Sequence, residues 1–205
     1  MILYGRDMSP FARRVAIWCS LQGRELERRQ LQVAGPEWDL VKAVNPLGRV
    51  PALVLEDGEV LVETWAIIDH LEESAPEGKR LIPAGGAARR AMLQDIAYAT
   101  STGEKVVALV YDKVRRPVEF HYPAWIERLE SQIITGLRAM DGRVPVEGWM
   151  SGTDQPGGGD IATVVSAEMA RLVFPGIDAG PLPHLDRLIA QAEEIPCFIE
   201  TRPKV

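Results

Sequence analysis

The sequence predicts a small α/β domain followed by a larger all-helical one. Three observations carry that reading. Short apolar runs alternate with helical patterns over residues 1–82; strand signals fade at the stretch "AGGAARR"; and beyond it apolar residues recur at helical spacing almost to the end of the chain. The expected organisation is an α/β domain over 1–82, a linker over 83–88 and a helical domain over 89–205.

The first domain opens on Ile2-Leu3-Tyr4, an apolar strand. Met8-Ser9-Pro10 then announces a helix, because serine caps free amides and proline fits the first turn. Phe11, Val15, Trp18 and Cys19 make one face of that helix, and Gly23 ends it. Arg13 and Arg14 fall off the apolar face and read as a solvated surface or an interface. A second strand is expected within Glu27 to Val33, and a short helical or irregular segment from Pro36 to Val44. In "NPLGRVPAL", Asn45 to Leu53, turn punctuation leads into a strand whose entrance is Pro51, a residue with no backbone donor. Apolar runs on either side of Asp57-Gly58 predict a tight antiparallel hairpin. Thr64 starts another helix with Ile67, Ile68 and Leu71 on its inner face.

In the second half, Ile126, Leu129, Ile133, Leu137 and Met140 share one helix face, as do Val164, Val165, Met169 and Leu172 with Val173. His184 to Glu194 is a last amphipathic segment. Breaks fall at "DGRVPVEGW" and "TDQPGGGD", and there is no internal repeat.

Composition narrows the function classes. A net charge of −6 argues against a nucleic-acid binder, which would carry a basic stripe. No apolar run reaches the ~18 residues of a membrane span, and "MILYG" shows no secretory leader, so a cytoplasmic protein is expected. Cys19 and Cys197 are the only cysteines, and neither sits in a Cys-x-x-Cys pair. The three histidines lack ligand spacing, so neither a disulfide framework nor a metal is expected. Each cysteine reads as a small packed apolar residue.

The order of "SPFARRV", "NPLGRVPAL", the hairpin, Glu63-Thr64 and, in the helical half, "GGGDIA" resembles the cytosolic glutathione S-transferase family over nearly the whole chain. The resemblance implies a thioredoxin-like N-terminal domain, a four-stranded mixed sheet with three helices, joined to an all-helical C-terminal domain. One departure is plain: the family's capping Ser or Thr is Gly157 here, while Asp160 stays, so half of a helix-capping box is lost.

The resemblance also implies a chemistry: holding the thiol of glutathione, the co-substrate, as its thiolate near neutral pH, where a thiol with a pKa of roughly 8.5 is mostly protonated. By resemblance to serine-using members, Ser9 donates to that thiolate at a helix N-terminus. A plain capping role for Ser9 remains open, as does Tyr4 in its place, since other branches use a tyrosine near the end of the first strand. With serine rather than cysteine at position 9, mixed-disulfide exchange through that residue is ruled out. Glu63 and Thr64 are implied to hold the γ-glutamyl end, against the plain alternative that Thr64 is an N-cap. Arg49, and with less weight Lys42, stand near the glycyl carboxylate. A cis Val50–Pro51 bond is implied to turn the Val50 main chain toward the cysteinyl part. Tyr98 and Thr102, with Ser101 and Tyr111, fall where the family builds its acceptor pocket, at a spacing that fits packing equally well. The implied activity is transfer of glutathione sulfur to an electrophilic small molecule, in detoxification, by a cytoplasmic homodimer. A glutathione-dependent reductase or isomerase, or a non-catalytic glutathione-binding regulator, stands as the alternative.

Overall fold

Short strands set the frame of the first half. The computed structural model describes residues 1–33 and 35–203, which form two compact units. Met1–Ala84 makes the first, joined by the described residues from Ile195 onward; Gly85–Glu194 makes the second.

In the first unit β1 (Ile2–Tyr4), β2 (Glu27–Arg29), β3 (Ala52–Val54) and β4 (Val60–Val62) form one sheet in the order β2-β1-β3-β4. β1 runs parallel to β2 and antiparallel to β3, and β3 pairs antiparallel with β4 across the Asp57-Gly58 turn. α1 (Pro10–Leu21) connects the parallel pair. A 3-10 turn, Gly35–Glu37, leads into α2 (Trp38–Val44), and α3 (Thr64–Glu73) follows the hairpin.

Strands of three residues make few ladder bonds, each worth about 1 kcal/mol net. A buried aliphatic or aromatic side chain contributes about 2 kcal/mol. The sheet is therefore held mainly by packing: Leu3, Val15, Ile17, Trp18, Leu53, Ile67 and Leu71 are all fully buried. Glu72 is buried among them. Its carboxylate accepts from Trp18 Nε1 (2.9 Å), Gln22 Nε2 (3.0 Å) and the Leu81 and Ile82 amides (3.0 Å each), tying α1, α3 and the end of the unit together.

Arg13 and Arg14 correct the sequence expectation. Neither lies on a solvated face: they are 1% and 2% exposed. α8 (Pro196–Glu200) covers this side of α1, and the Arg13 guanidinium donates to the Phe198 carbonyl (2.9 Å) and to Thr201 Oγ1 (3.2 Å). Periodicity along α1 could not reveal this, because the covering segment lies some 185 residues away in the chain.

The second unit is helical throughout. α4 (Gly86–Leu109) begins inside the stretch read as linker and runs on into a π-helical turn, Val110–Arg115. α5 (Pro123–Asp141), α6 (Gly158–Val173) and α7 (Pro183–Ala192) follow. α4 and α5 approach closely at Gly136, where a Cβ would stand 2.2 Å from Thr102 Oγ1, so only glycine fits. Asp160 is fully buried and accepts from the amides of Met150 (2.7 Å), Ser151 (3.2 Å) and Gly157 (2.8 Å), which fixes the loop before α6 on the helix end. Gly157 has no side-chain acceptor, and the Gly159 amide instead meets Met92 Sδ of α4 at 2.9 Å. No helix among the described residues is long and apolar enough to cross a membrane.

Candidate functional site

Strand register gathers most of the residues singled out by the sequence at one edge of the sheet. Tyr4 at the end of β1 faces Ala52 at the start of β3, and Ala52 faces Val62 at the end of β4. The loop into α1, the Val50-Pro51 entrance to β3 and the Glu63-Thr64 entrance to α3 therefore meet at that edge. Gly5 confirms how closely they approach: at φ +144° it leaves no room for a Cβ, which would stand 2.7 Å from Ala12 Cβ and 3.2 Å from Val50 Cβ.

Ser9 is half-buried in extended backbone ahead of Pro10 and accepts from the Ala12 amide through Oγ at 3.3 Å. Capping uses the oxygen as an acceptor only, so the hydroxyl proton stays available to a second partner. No acidic side chain sits in the first turn of α1, which leaves the positive end of the helix uncompensated there. Tyr4 is differently placed: its hydroxyl accepts from Arg29 at 2.6 Å, and the same guanidinium lies 5.2 Å from its ring centroid.

The Val50–Pro51 bond is cis. The turn before it is organised by Asn45, almost fully buried, whose side chain accepts from the Leu47 amide (3.1 Å) and donates to the Arg49 carbonyl (2.9 Å). Lying outside every helix and strand, the Val50 main chain makes no backbone hydrogen bond among the described residues.

Glu63 is the one described non-glycine residue in the left-handed region, at φ +68°. A side chain held there costs about 1–3 kcal/mol and persists where the surroundings over-determine it. Glu63, not Thr64, occupies the cap position of α3, and no side chain bonds the free amides there. The plain capping role weighed for Thr64 is thus absent; Thr64 is the first helical residue and is buried. The Glu63 carboxylate meets Arg49 at 3.3 Å. Lys42 is engaged elsewhere, on Asp39 at 2.8 Å and over the Trp38 ring at 4.0 Å.

The residues expected around an acceptor belong to the second unit. Tyr98, Ser101, Thr102 and Lys105 on α4 face Gln132 and Thr135 on α5 across a cavity of about 300 Å³. Thr102 Oγ1 donates to the Tyr98 carbonyl (2.8 Å), which occupies its proton. The Tyr98 ring lies under Arg143 at 4.9 Å, and Arg143 is held by Asp95 at 2.6 Å. Tyr111 sits on the π-helical turn with Arg115 over its ring. Among the described residues no group of His, Cys, Asp and Glu is arranged to hold a metal ion.

Sequence reasoning passed over Asp7, Gln30 and Asn45, polar residues that brace this edge of the sheet. Asp7 and Gln30 are 23 positions apart and pair only through the register of β1 and β2, which no local pattern announces. The Asn-Pro punctuation was the one available signal for Asn45.

Residues 3–79 match the family model of the glutathione S-transferase N-terminal domain. The chain is 31% identical over 165 residues to maleylacetoacetate isomerase of Pseudomonas aeruginosa, covering 78% of this chain and 74% of that protein. Its fold superposes on a glutathione S-transferase of Methylobacillus flagellatus solved with glutathione bound, with a TM-score of 0.88, 28% identity and 99% of both chains covered. It also superposes on a bacterial maleyl pyruvate isomerase, a zeta-class glutathione S-transferase in its holo form, with a TM-score of 0.78, 27% identity and 99% and 97% of the two chains covered. The match of residues 3–79 to the family model and a relative of 31% identity that spans most of both chains lead to one conclusion: this chain belongs to the glutathione S-transferase family.

Proposed function

We propose that the protein binds glutathione at the sheet edge where Ser9, Val50 and Glu63 meet, and activates its thiol for attack on an electrophilic small molecule. The observation that carries this reading is the Glu63 backbone. A carboxylate is held at φ +68° ahead of a helix whose first amides lack a side-chain cap, a costly arrangement that suits a ligand bearing both an ammonium and a carboxylate. The γ-glutamyl end of glutathione has that pair of groups. Glu63 takes the ammonium, the Thr64 amide and hydroxyl take the carboxylate, and Arg49 exchanges its 3.3 Å contact with Glu63 for the glycyl carboxylate. Val50, free of backbone partners, offers its amide and carbonyl to the cysteinyl residue as a short strand would.

Ser9 then donates its free proton to the sulfur. A hydrogen bond made to the thiolate, together with the uncompensated positive end of α1, lowers the thiol pKa. The place of Ser9 at the N-terminus of α1, with no acidic side chain in the first turn, favours it over Tyr4 in this role. In a transfer reaction a carbon–sulfur bond forms and the leaving group departs with its electron pair. A second reading follows from the likeness to maleylacetoacetate isomerase: sulfur adds to a conjugated double bond, the resulting single bond rotates, and expulsion of the thiolate returns glutathione unchanged. Tyr98 and Thr102 stand as acceptor-side residues in either case. We read the protein as a cytoplasmic homodimer acting in detoxification; the exposed Trp65 on α3 bears on the dimer alone, as an apolar side chain a partner would cover.

Ser9→Ala is expected to lower turnover by about 10²-fold, with the glutathione Kd changed less than about threefold. Unaltered turnover would remove Ser9 from the mechanism. Assaying maleylacetoacetate and an activated aryl halide while following total free thiol separates the two reactions: transfer consumes thiol and isomerisation does not. Light scattering on the same preparation should give twice the chain mass; a monomer mass at micromolar concentration would remove the dimer.

A further inference from the structure

Beyond Gly5, whose amide bonds the Arg29 carbonyl of β2, the loop that carries Ser9 is tied to the residue after β2 through Asp7. Its backbone amide donates to Gln30 Oε1 at 2.9 Å, and Gln30 Nε2 returns a bond to Asp7 Oδ2 at 3.0 Å, closing a ring between the loop and the residue after β2. The other carboxylate oxygen accepts from the Arg28 guanidinium, and both side chains are partly buried. On one side the Gly5 amide bonds the Arg29 carbonyl of β2 at 3.0 Å, and on the other the Ser9 amide closes a turn on the Arg6 carbonyl at 2.9 Å. Among the described residues, Asp7 makes the hydrogen bonds that tie the chain between Gly5 and Ser9 to a neighbouring element, and so sets the height of the turn on which Ser9 stands.

We propose that Asp7, with Gln30 and Arg28, is a positioning residue that fixes the Ser9 hydroxyl in the direction of the sulfur. The proposal rests on the reading of Ser9 given above. Asp7 touches no reacting atom; it acts by setting where the Arg6–Ser9 turn lies relative to the helix end. A hydrogen bond to a thiolate weakens steeply once its angle opens, so a loop free to shift loses part of the pKa depression while still binding the tripeptide. The ring is also built to be stiff, because two reciprocal bonds and a charged third fix Asp7 at both its backbone and its side chain.

The test is the pKa of the enzyme-bound glutathione thiol, read from thiolate ultraviolet absorbance, beside the Kd of S-methylglutathione, whose sulfur carries no proton. Asp7→Ala and Gln30→Ala break the ring from opposite sides, so if one variant fails to fold the other still reports. Each is expected to raise the bound thiol pKa by about half a unit and to leave the S-methylglutathione Kd within about threefold of the parent. Asp7→Asn, which keeps an acceptor for Gln30 Nε2 and gives up the charged bond from Arg28, should recover part of the loss. In the Ser9→Ala background, Asp7→Ala should add no further rise. If Ser9→Ala raises the thiol pKa but neither Asp7→Ala nor Gln30→Ala does, the positioning role is overturned and Ser9 stands. A rise from Asp7→Ala that adds in full to that of Ser9→Ala also overturns it. If Ser9→Ala itself leaves the pKa unchanged, both readings fall together.

Discussion

Cys19 shows how far a single residue's environment can move it. It is fully buried in α1, and that burial pushes its thiol up to about 11 from 9.0, against the opposing pull of Arg24 and the chain's amino terminus. The folded chain thus holds the Cys19 proton at a pH where the unfolded chain releases it. A raised folded-state pKa means a stabilising contribution fully present below the unfolded value and lost as pH rises toward the folded one. The window is therefore from pH 9.0 to about 11, and over two units the loss is about 2–3 kcal/mol. Urea unfolding compared at about pH 8 and about pH 10.5 should show this fall in the parent and a shallower one in Cys19→Ala; equal falls in both would show that Cys19 does not carry it. At the same scale, Ser9 was legible in the sequence because a helix start writes itself locally as Ser-Pro before an apolar face. Asp7, Gln30 and Glu72 were not, because each acquires its role from a partner distant in the chain, and an isolated Asp, Gln or Glu in a sequence reads as surface. Arg13 and Arg14 misled for the same reason, since charge alone cannot show that a distant segment will cover it.

At the level of the elements, periodicity served well wherever an element packs against its own neighbours. α3, α5, α6 and α7 lie where their apolar spacing placed them, and the hairpin turns at Asp57-Gly58. The start of α4 was missed because a glycine-rich opening looks like a linker, although Gly85 is the cap and Gly86 the first residue of a regular helix. The N-terminus of α6 shows an element whose ordinary cap is incomplete. Gly157 has no hydroxyl to offer, the Gly159 amide rests on the weak acceptor Met92 Sδ, and the remaining burden falls on Asp160. Its carboxylate satisfies three amides at once, two of them in the Met150-Ser151 loop, so it joins loop and helix as well as capping. Asp160→Ala would strand those buried donors and should lower unfolding free energy by about 3 kcal/mol or more. Met92→Leu, which removes one poor acceptor and keeps the volume, should cost about 1 kcal/mol or less. Denaturant midpoints measured side by side decide the ordering; a larger loss from Met92→Leu would mean that the sulfur, not the carboxylate, holds the helix end.

Across the whole molecule the chain leaves its first unit at Ala84, builds the helical unit, and returns at Ile195 to finish on α1. Folding of the first unit is therefore not complete when residue 84 has been made, because the buried Arg13 guanidinium on α1 still awaits the acceptors that the returning segment brings. Arg13 shows what the returning segment supplies. It gives Arg13 the Phe198 carbonyl and Thr201 Oγ1 as acceptors, the Thr201 hydroxyl is itself turned by the Cys197 carbonyl at 2.7 Å, and the Phe198 ring fills the adjoining core. A buried cation is tolerable only while such acceptors are present, and removing one side of a buried charged contact costs about 3–5 kcal/mol. Arg13→Ala is thus expected to lower stability by about 3 kcal/mol, and deletion of residues 195–205 by at least as much. Both changes abolish the bonds from Arg13 to the Phe198 carbonyl and Thr201 Oγ1, so their effects should fall short of additive when combined. The denaturant midpoints of the parent, the two single variants and the combined variant close that cycle. Full additivity would mean that Arg13 is held by other groups and that the returning segment stabilises the protein through the Phe198 ring alone.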